Sequence, residues 1–537
     1  MSCSKIFSGD LPELLYEIIK YFRNDYSTLH SCILVNRLWC RLTIPLLWED
    51  PFSIPNGNYN FIEIYLYNLN DYLKTKLNEY QIIDNLLTPS SSSNNNTLFN
   101  YPNFIKYLNI CKIIPCIEGW LESNERTSKF SNRYYIRYLI MESVSEFKRF
   151  INISIIKLFI ENEVNLNTLE IEISITDYYN TCADNILEII LQNPNFIKNI
   201  KNLKFSILSS NKLIKNRILQ IINSHQNLKR ILLGYNNFSL YQSLLLSNES
   251  NCSNTLNTII FYYIDFKSLI NLVKVFEKLN VLESVHIIYC YSLDTGFIQQ
   301  IINLNKPFKL KSLFISGRLQ IQSLQSLLQK SGNYLENFGY GFGITNYDQL
   351  LKQQLLELII KYCKNIKFLN LHRIENQITS LIFNLIENIK QFLNYLSINL
   401  VNHQVDNIKL ILQNLGQSLP IKLEYLSMIL HIKENDFEIF LKNSQNTFFK
   451  KLLINNMIRE YSNDNIDILP YIKEYIMKKE RVKYLAIKNT FIIRYNRKNV
   501  DLSDLKDEVK EFKLYNIKVL NYNDLSTDIY RYINEID

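Results

Sequence analysis

A six-residue pattern, apolar-x-x-apolar-x-apolar, recurs along most of this chain and constrains its fold more than any other feature. Leu166-x-x-Leu169-x-Ile171 is followed by Ile200-x-x-Leu203-x-Phe205, Leu228-x-x-Ile231-x-Leu233 and Leu256-x-x-Ile259-x-Phe261. The series continues from Leu282, Leu310, Leu335, Ile366, Leu393, Leu423, Phe449, Val482 and Val509. These are 13 starts with gaps of 25 to 34 residues, a mean period of about 29 residues, in the range of repeat architectures. An earlier copy, Ile105-x-x-Leu108-x-Ile110, lies 61 residues upstream of the first. The apolar pair two apart suits one face of a short strand. The intervening residues read as helices: Leu269, Leu272, Val273, Phe276 and Leu279 share one face, as do Leu351, Leu355, Leu358, Ile359 and Tyr362. One strand and one helix cannot cover each other, whereas stacked copies bury a continuous core.

Composition narrows the function classes. The chain is 47% apolar and 20% charged, with 11 Gly and 11 Pro in 537 residues, which fits a folded protein with few tight turns. A net charge of +8 is scattered, with short clusters such as Lys450-Lys451 and Lys478-Lys479. Nucleic-acid binding would want a concentrated basic face, so none is expected. Nine cysteines show no C-x-x-C spacing. We expect buried thiols in a reducing compartment, cytoplasmic and/or nuclear, with no leader and no membrane span.

The first 50 residues differ from the repeats. Leu11-Pro12 opens an apolar-periodic run of Leu14, Leu15, Ile18, Ile19 and Phe22, for which Asp10 is the expected cap. A second helix is expected over Thr28–Val35. A third begins near Arg37, carries Trp39, and gives way at Pro45 to a short turn ending at Trp48. Residues 51–103 read as a helical connector containing TPSSSSNNNT (88–97), whose composition predicts an exposed flexible loop.

The repeats resemble the leucine-rich repeat family, whose pattern is L-x-x-L-x-L-x-x-N/C-x-L. The Asn/Cys position is filled by Asn236 and Cys290, with hydroxyls at Ser174 and Thr490. The opening stretch resembles an F-box in its Leu11-Pro12, its apolar helix, its Val35 and Trp39 four apart, and its closing Leu47-Trp48. Together the resemblances imply an α/β chain: a small all-α F-box module (8–50), a connector (51–103) and a leucine-rich-repeat solenoid (104–537). The solenoid would carry a parallel sheet on its concave side and helices outside.

An F-box with leucine-rich repeats implies the substrate-recognition subunit of an SCF ubiquitin ligase. Leu11, Pro12, Leu14, Leu15, Ile18, Val35, Trp39 and Trp48 would dock on a Skp1-type adaptor, and through it on cullin and RING subunits. The repeats would hold a protein substrate on strand residues facing the concave surface, among them Tyr262, His286, Phe314, His372, Asn399, Lys488 and Tyr515. The alternative is a leucine-rich-repeat scaffold that acts without ubiquitylation.

Chemistry of the chain's own is not expected. GYGFG (Gly339–Gly343) lacks the Gly-Lys-Ser/Thr that a phosphate loop needs. The six histidines form no H-E-x-x-H, and no G-x-S-x-G is present. No cofactor, metal or catalytic residue is assigned.

Overall fold

The computed structural model describes residues 11–23, 25–53, 59–80, 98–125, 134–173, 177–208, 212–224, 227–235, 251–267, 272–316, 320–342, 349–372, 378–400, 408–432, 434–459, 467–493 and 496–536. Asp10, the 88–97 loop, Leu269 and Gly343 lie outside them. The chain is a mixed α/β protein, a helical first region followed by mostly parallel strands that alternate with helices. It divides into two compact units within the strand Thr258–Tyr262. Unit 1 runs to Ile259 and includes Lys278–Val281. Unit 2 comprises Ile260–Glu277 and the chain from Leu282 onward.

Unit 1 begins with α1 (Pro12–Lys20), α2 (Tyr26–Ile33) and α3 (Arg37–Leu47). Proline occupies the first helical position of α1, where no N–H is needed. Asp25 caps α2 by accepting from the Thr28 N–H at 3.1 Å, so this helix starts two residues before the expected Thr28. Asn36 caps α3 through the Trp39 N–H at 2.9 Å, and the helix runs through Pro45 rather than ending there. The connector holds α4 (Phe61–Tyr67) and α5 (Asp71–Glu79). Between β1 (Tyr107–Asn109) and β2 (Thr168–Ile173) lie α6 (Ile110–Glu125) and α7 (Tyr134–Glu161), which account for the irregular gap at the first repeat. Then follow α8 (Asp177–Gln192), β3 (Asn202–Ile207), α9 (Lys212–Ser224) and β4 (Arg230–Gly234).

The pattern read from sequence is the register of the sheet. Leu108, Leu169, Leu203 and Ile231, each three residues after a start, pair in one row and are all buried. A second device repeats with them. The Lys106 carbonyl accepts from the N–H groups of Asn167 and Thr168, that of Asn167 from Lys201 and Asn202, and that of Lys201 from Lys229 and Arg230. At the head of the series the Glu49 carbonyl, just past α3, accepts from Lys106 and Tyr107. The helical region thus supplies β1 with the bonds that a preceding repeat would have given.

β5 (Thr258–Tyr262) spans the division; in unit 2, α10 (Leu272–Lys278, whose last residue is assigned to unit 1), β6 (Ser284–Cys290), α11 (Thr295–Ile302), β7 (Leu310–Ser316), α12 (Ile321–Ser331) and β8 (Asn337–Phe342) lead into α13 (Gln349–Tyr362). Then come β9 (Phe368–His372), α14 (Thr379–Ile389), β10 (Tyr395–Asn399), α15 (Ile408–Ser418), β11 (Lys422–Leu430), α16 (Glu434–Asn443) and β12 (Phe448–Arg459). Ile287, Leu313, Phe338, Leu369, Leu396, Leu426, Leu452 and Leu485 form one paired row, every member inaccessible to solvent. After α17 (Leu469–Ile472, prolonged by a π turn over Lys473–Met477) comes β13 (Val482–Ile493), which carries antiparallel β14 (Asn496–Asp501) along its second half. Buried Arg481 donates to the carbonyls of Leu441, Ser444, Thr447 and Tyr475 and ties three elements together.

The thirteenth start is a correction. Val509 and Phe512 lie in α18 (Lys506–Leu514), not in a strand. Asp507 and Glu508 in its first turn and Lys513 in its last suit the helix dipole, and apolar residues three apart fit a helix face as well as a strand edge. Tyr515 therefore ends a helix. After it, β15 (Lys518–Val519) pairs with the first half of β13, and α19 (Tyr522–Leu525) and α20 (Ile529–Ile536) follow. Among the described residues no helix is long and apolar enough to cross a membrane.

Candidate docking surfaces

The first three helices have a small core of their own: Leu15, Ile19, Leu29 and Leu46, with Phe22, Leu38, Trp39 and Leu42 packed against it. What they leave outside is also apolar. Leu14 is 44% exposed and Ile18 41%, one turn apart on α1, and Leu34 and Val35 after α2 are 77% and 55% exposed. Of the eight expected adaptor contacts, Leu14, Ile18 and Val35 stand in solvent. Leu11, Pro12 and Trp39 are half-buried, and Leu15 is wholly inside. Trp48 turns the other way, its ring 4.4 Å from that of Tyr101 and 5.5 Å from that of Tyr65 in the connector. Tyr21 and Leu34, both strongly exposed, were not singled out from sequence; Tyr21 continues the face of Leu14 and Ile18 at i+7 and i+3, and Leu34 follows the end of α2.

The same region meets the sheet of unit 1 through charge. Arg23 pairs with Glu49 and lies 4.9 Å over the Tyr107 ring. On that sheet, Glu170 of β2 and Lys204 of β3 sit side by side, 3.8 Å apart. Burial lifts the Glu170 carboxyl to about 7 against the pull of Lys204, with Glu172 adding to the rise. Burial lowers Lys204 despite Glu170. Asp50 is raised by burial too, although Ser53, Lys112 and Lys204 oppose the rise.

In unit 2 the rows alternate with the buried leucine row. Phe368, Tyr395 and Tyr425, each two residues after a start, stack across adjacent strands at 5.7 and 5.4 Å, with rings 17° from parallel. Phe314 crosses β8 at Gly339, where a Cβ would lie 2.5 Å from the Phe314 ring, so only glycine fits. That close passage is what the GYGFG stretch provides there.

Tyr522, Leu525, Tyr530 and Tyr532 lie on this surface. Tyr522 and Leu525 pack with Tyr425, Leu453 and Ala486. The Tyr532 ring is 4.7 Å from Phe368 and 4.5 Å from Tyr395. The Tyr425 hydroxyl accepts from the Thr527 N–H at 3.2 Å, and the Ser427 and Tyr522 hydroxyls meet at 3.3 Å.

The seven expected target contacts divide. Tyr262 touches Tyr530 at 5.3 Å, and Lys488 sits 5.9 Å over the Tyr522 ring. His372 and Asn399 share a hydrogen bond at 3.3 Å. His286 is buried and bonded to the Ser312 hydroxyl at 2.7 Å, and Phe314 is buried. Tyr515 lies at the end of α18, outside the strand rows. The aromatic row at Phe368, Tyr395 and Tyr425 was missed, although its signal, an aromatic two residues after successive starts, is present in the sequence. Among the described residues no three His, Cys, Asp or Glu side chains are arranged to hold a metal ion. The described free thiols include Cys111, Cys290 and Cys363, each pushed up to about 12, chiefly by burial.

Neither a protein-family model nor a curated protein matches this chain.

Proposed function

We propose that the chain is the substrate-recognition subunit of an SCF-type ubiquitin ligase, its first three helices acting as an F-box on a Skp1-type adaptor and its leucine-rich repeats selecting a protein target. The observation that carries this reading is the exposed set of Leu14 and Ile18 on α1 and Val35 just after α2, in a helical module whose own core is already filled by Leu15, Ile19, Leu29 and Leu46. A helical module with a finished core and surplus apolar surface suits attachment to another helical protein. The chain then performs no bond chemistry itself. It places a bound protein near the enzyme that carries ubiquitin, in the cytoplasm or nucleus.

A second reading rests on Glu49 and Trp48. The Glu49 carbonyl completes β1 and Trp48 packs on the connector, so the helical region also suits a cap on a repeat scaffold that works without ubiquitylation. Co-expression with a Skp1-type adaptor separates the two. The ligase reading expects a one-to-one complex with wild type that is lost in Leu14→Asp/Val35→Asp while circular dichroism is unchanged. A folded wild type that captures no adaptor leaves the cap alone.

A further inference from the structure

We propose that the aromatic face of unit 2, between Tyr262 and Tyr484, is a docking surface for a short amphipathic segment of a partner protein, and that residues 521–536 of the same chain are its built-in occupant. From the proposed function this takes only that the repeats bind a protein, and it involves no adaptor.

The chemistry of the two sides of this sheet differs. One side is the leucine row from Leu313 to Leu485, a permanent core. The other presents Phe368, Tyr395, Tyr425, Ser427, Asn370 and Tyr484. Tyrosines with hydroxyl tips, serine and asparagine tolerate both water and a partner, and that mixture belongs to interfaces more than to cores. Asn370 Oδ1 is buried on this side and takes no hydrogen bond among the described residues. It is an acceptor that a partner's N–H could use.

The occupant shows what fits. Tyr522 and Leu525, then Ile529, Tyr532 and Ile533, are each less than 8% exposed, while Asn523, Asp524, Asp528 and Arg531 face solvent. Its helices, of four and eight residues, are too short to persist alone and are held by the face. Its bonds to the face are mostly hydroxyl and backbone bonds and ring contacts, and the two charged groups that join them, Asp501 accepting from the Tyr522 N–H at 2.9 Å and Lys488 over the Tyr522 ring, are at least partly buried. The partner segment is therefore a Tyr-x-x-Leu turn followed by Ile-x-x-Tyr-Ile or its aromatic equivalents, and it binds with little dependence on salt. A tethered occupant competes at an effective concentration of about a millimolar. A partner must meet that, or the occupant must first be released.

Two measurements on the full chain test this. Hydrogen exchange should show the 522–536 amides opening about 100-fold faster than those of β9–β12, because the segment leaves as a unit. Protection equal to the strands overturns the proposal and makes the segment part of the core. Second, a fluorescein-labelled peptide of residues 520–536 should bind full-length Tyr532→Ala/Ile533→Asp at about 10 μM and ignore wild type, whose own segment holds the face. The same two substitutions in the peptide should weaken it more than about tenfold, and binding should change less than about twofold between 50 and 500 mM NaCl. No binding to a folded variant overturns the proposal. If the variant does not fold, the exchange result decides. Neither outcome bears on adaptor docking.

Discussion

Unit 1 and unit 2 are built on one repeat, yet they line their sheets differently. Beside its buried leucine row unit 1 carries Glu170 and Lys204, with Arg23, Glu49 and Asp50 brought near by the helical region. Unit 2 carries stacked aromatics under a segment of its own chain. The repeat fixes which positions lie on each side, and leaves the chemistry of one side free to vary. All three tryptophans, Trp39, Trp48 and Trp120, belong to unit 1. Tryptophan fluorescence therefore follows unit 1, while circular dichroism follows both.

The largest expected effect is in unit 2. Tyr425→Ala removes a buried ring that stacks on Tyr395 and bonds Thr527, and should lower stability by about 3–5 kcal/mol, as for other large-to-small core changes. Urea unfolding by circular dichroism should show it. An equal shift in tryptophan fluorescence would mean that the two units unfold together.

Lys204→Met tests unit 1. It leaves Glu170 buried without its cation, and should cost about 2 kcal/mol at pH 8. At pH 5 Glu170 is protonated and the loss should shrink to less than about 0.5 kcal/mol. An effect equal at both pH values would show that Lys204 acts by packing alone.

Wild type carries its own pH signature. Glu170 holds its proton up to about 7 when folded and only to the ordinary glutamate range when unfolded. Between those values the folded state binds the extra proton, so this group's contribution to stability is full at low pH and falls as pH rises through 7. Thermal unfolding followed by tryptophan fluorescence from pH 5 to 8 should lose this slope in Glu170→Gln.

The smallest effect is expected at Lys488. Its ammonium over the Tyr522 ring contributes about 0.5 kcal/mol, and Lys488→Met should lower unit 2 stability by no more than that. A larger loss would reveal a stronger tie between Lys488 and the 521–536 segment than the ring contact supplies.

Strand positions were legible because Leu169, Leu203 and Leu396 sit where the repeat puts a residue that must face a core. Val509-x-x-Phe512-x-Leu514 matched the same template and formed a helix, since its spacing suits both and its flanking charges decided. The three helices near Leu15 were legible from their apolar period, while the caps of α2 and α3, Asp25 and Asn36, were not. The ends of α2 and α3 shifted because Asp25 caps earlier than Thr28 and Pro45 is accommodated within α3. The covering of Tyr395 and Tyr425 was not legible. Periodicity shows that Tyr532 has an apolar face, but not which distant strand will receive it.

That covering sets an order for folding. From β2 to β13 successive starts are 25 to 34 residues apart in sequence, so each of these repeats can close on the one before it over a short stretch of chain. Thr527 meets Tyr425 across 102 residues, and Tyr522 meets Ser427 across 95. Such closures depend on a sheet that already exists. During synthesis the aromatic face therefore forms bare and stays bare until the last repeats have emerged. For that interval, any partner waiting nearby meets the surface before the chain's own segment does.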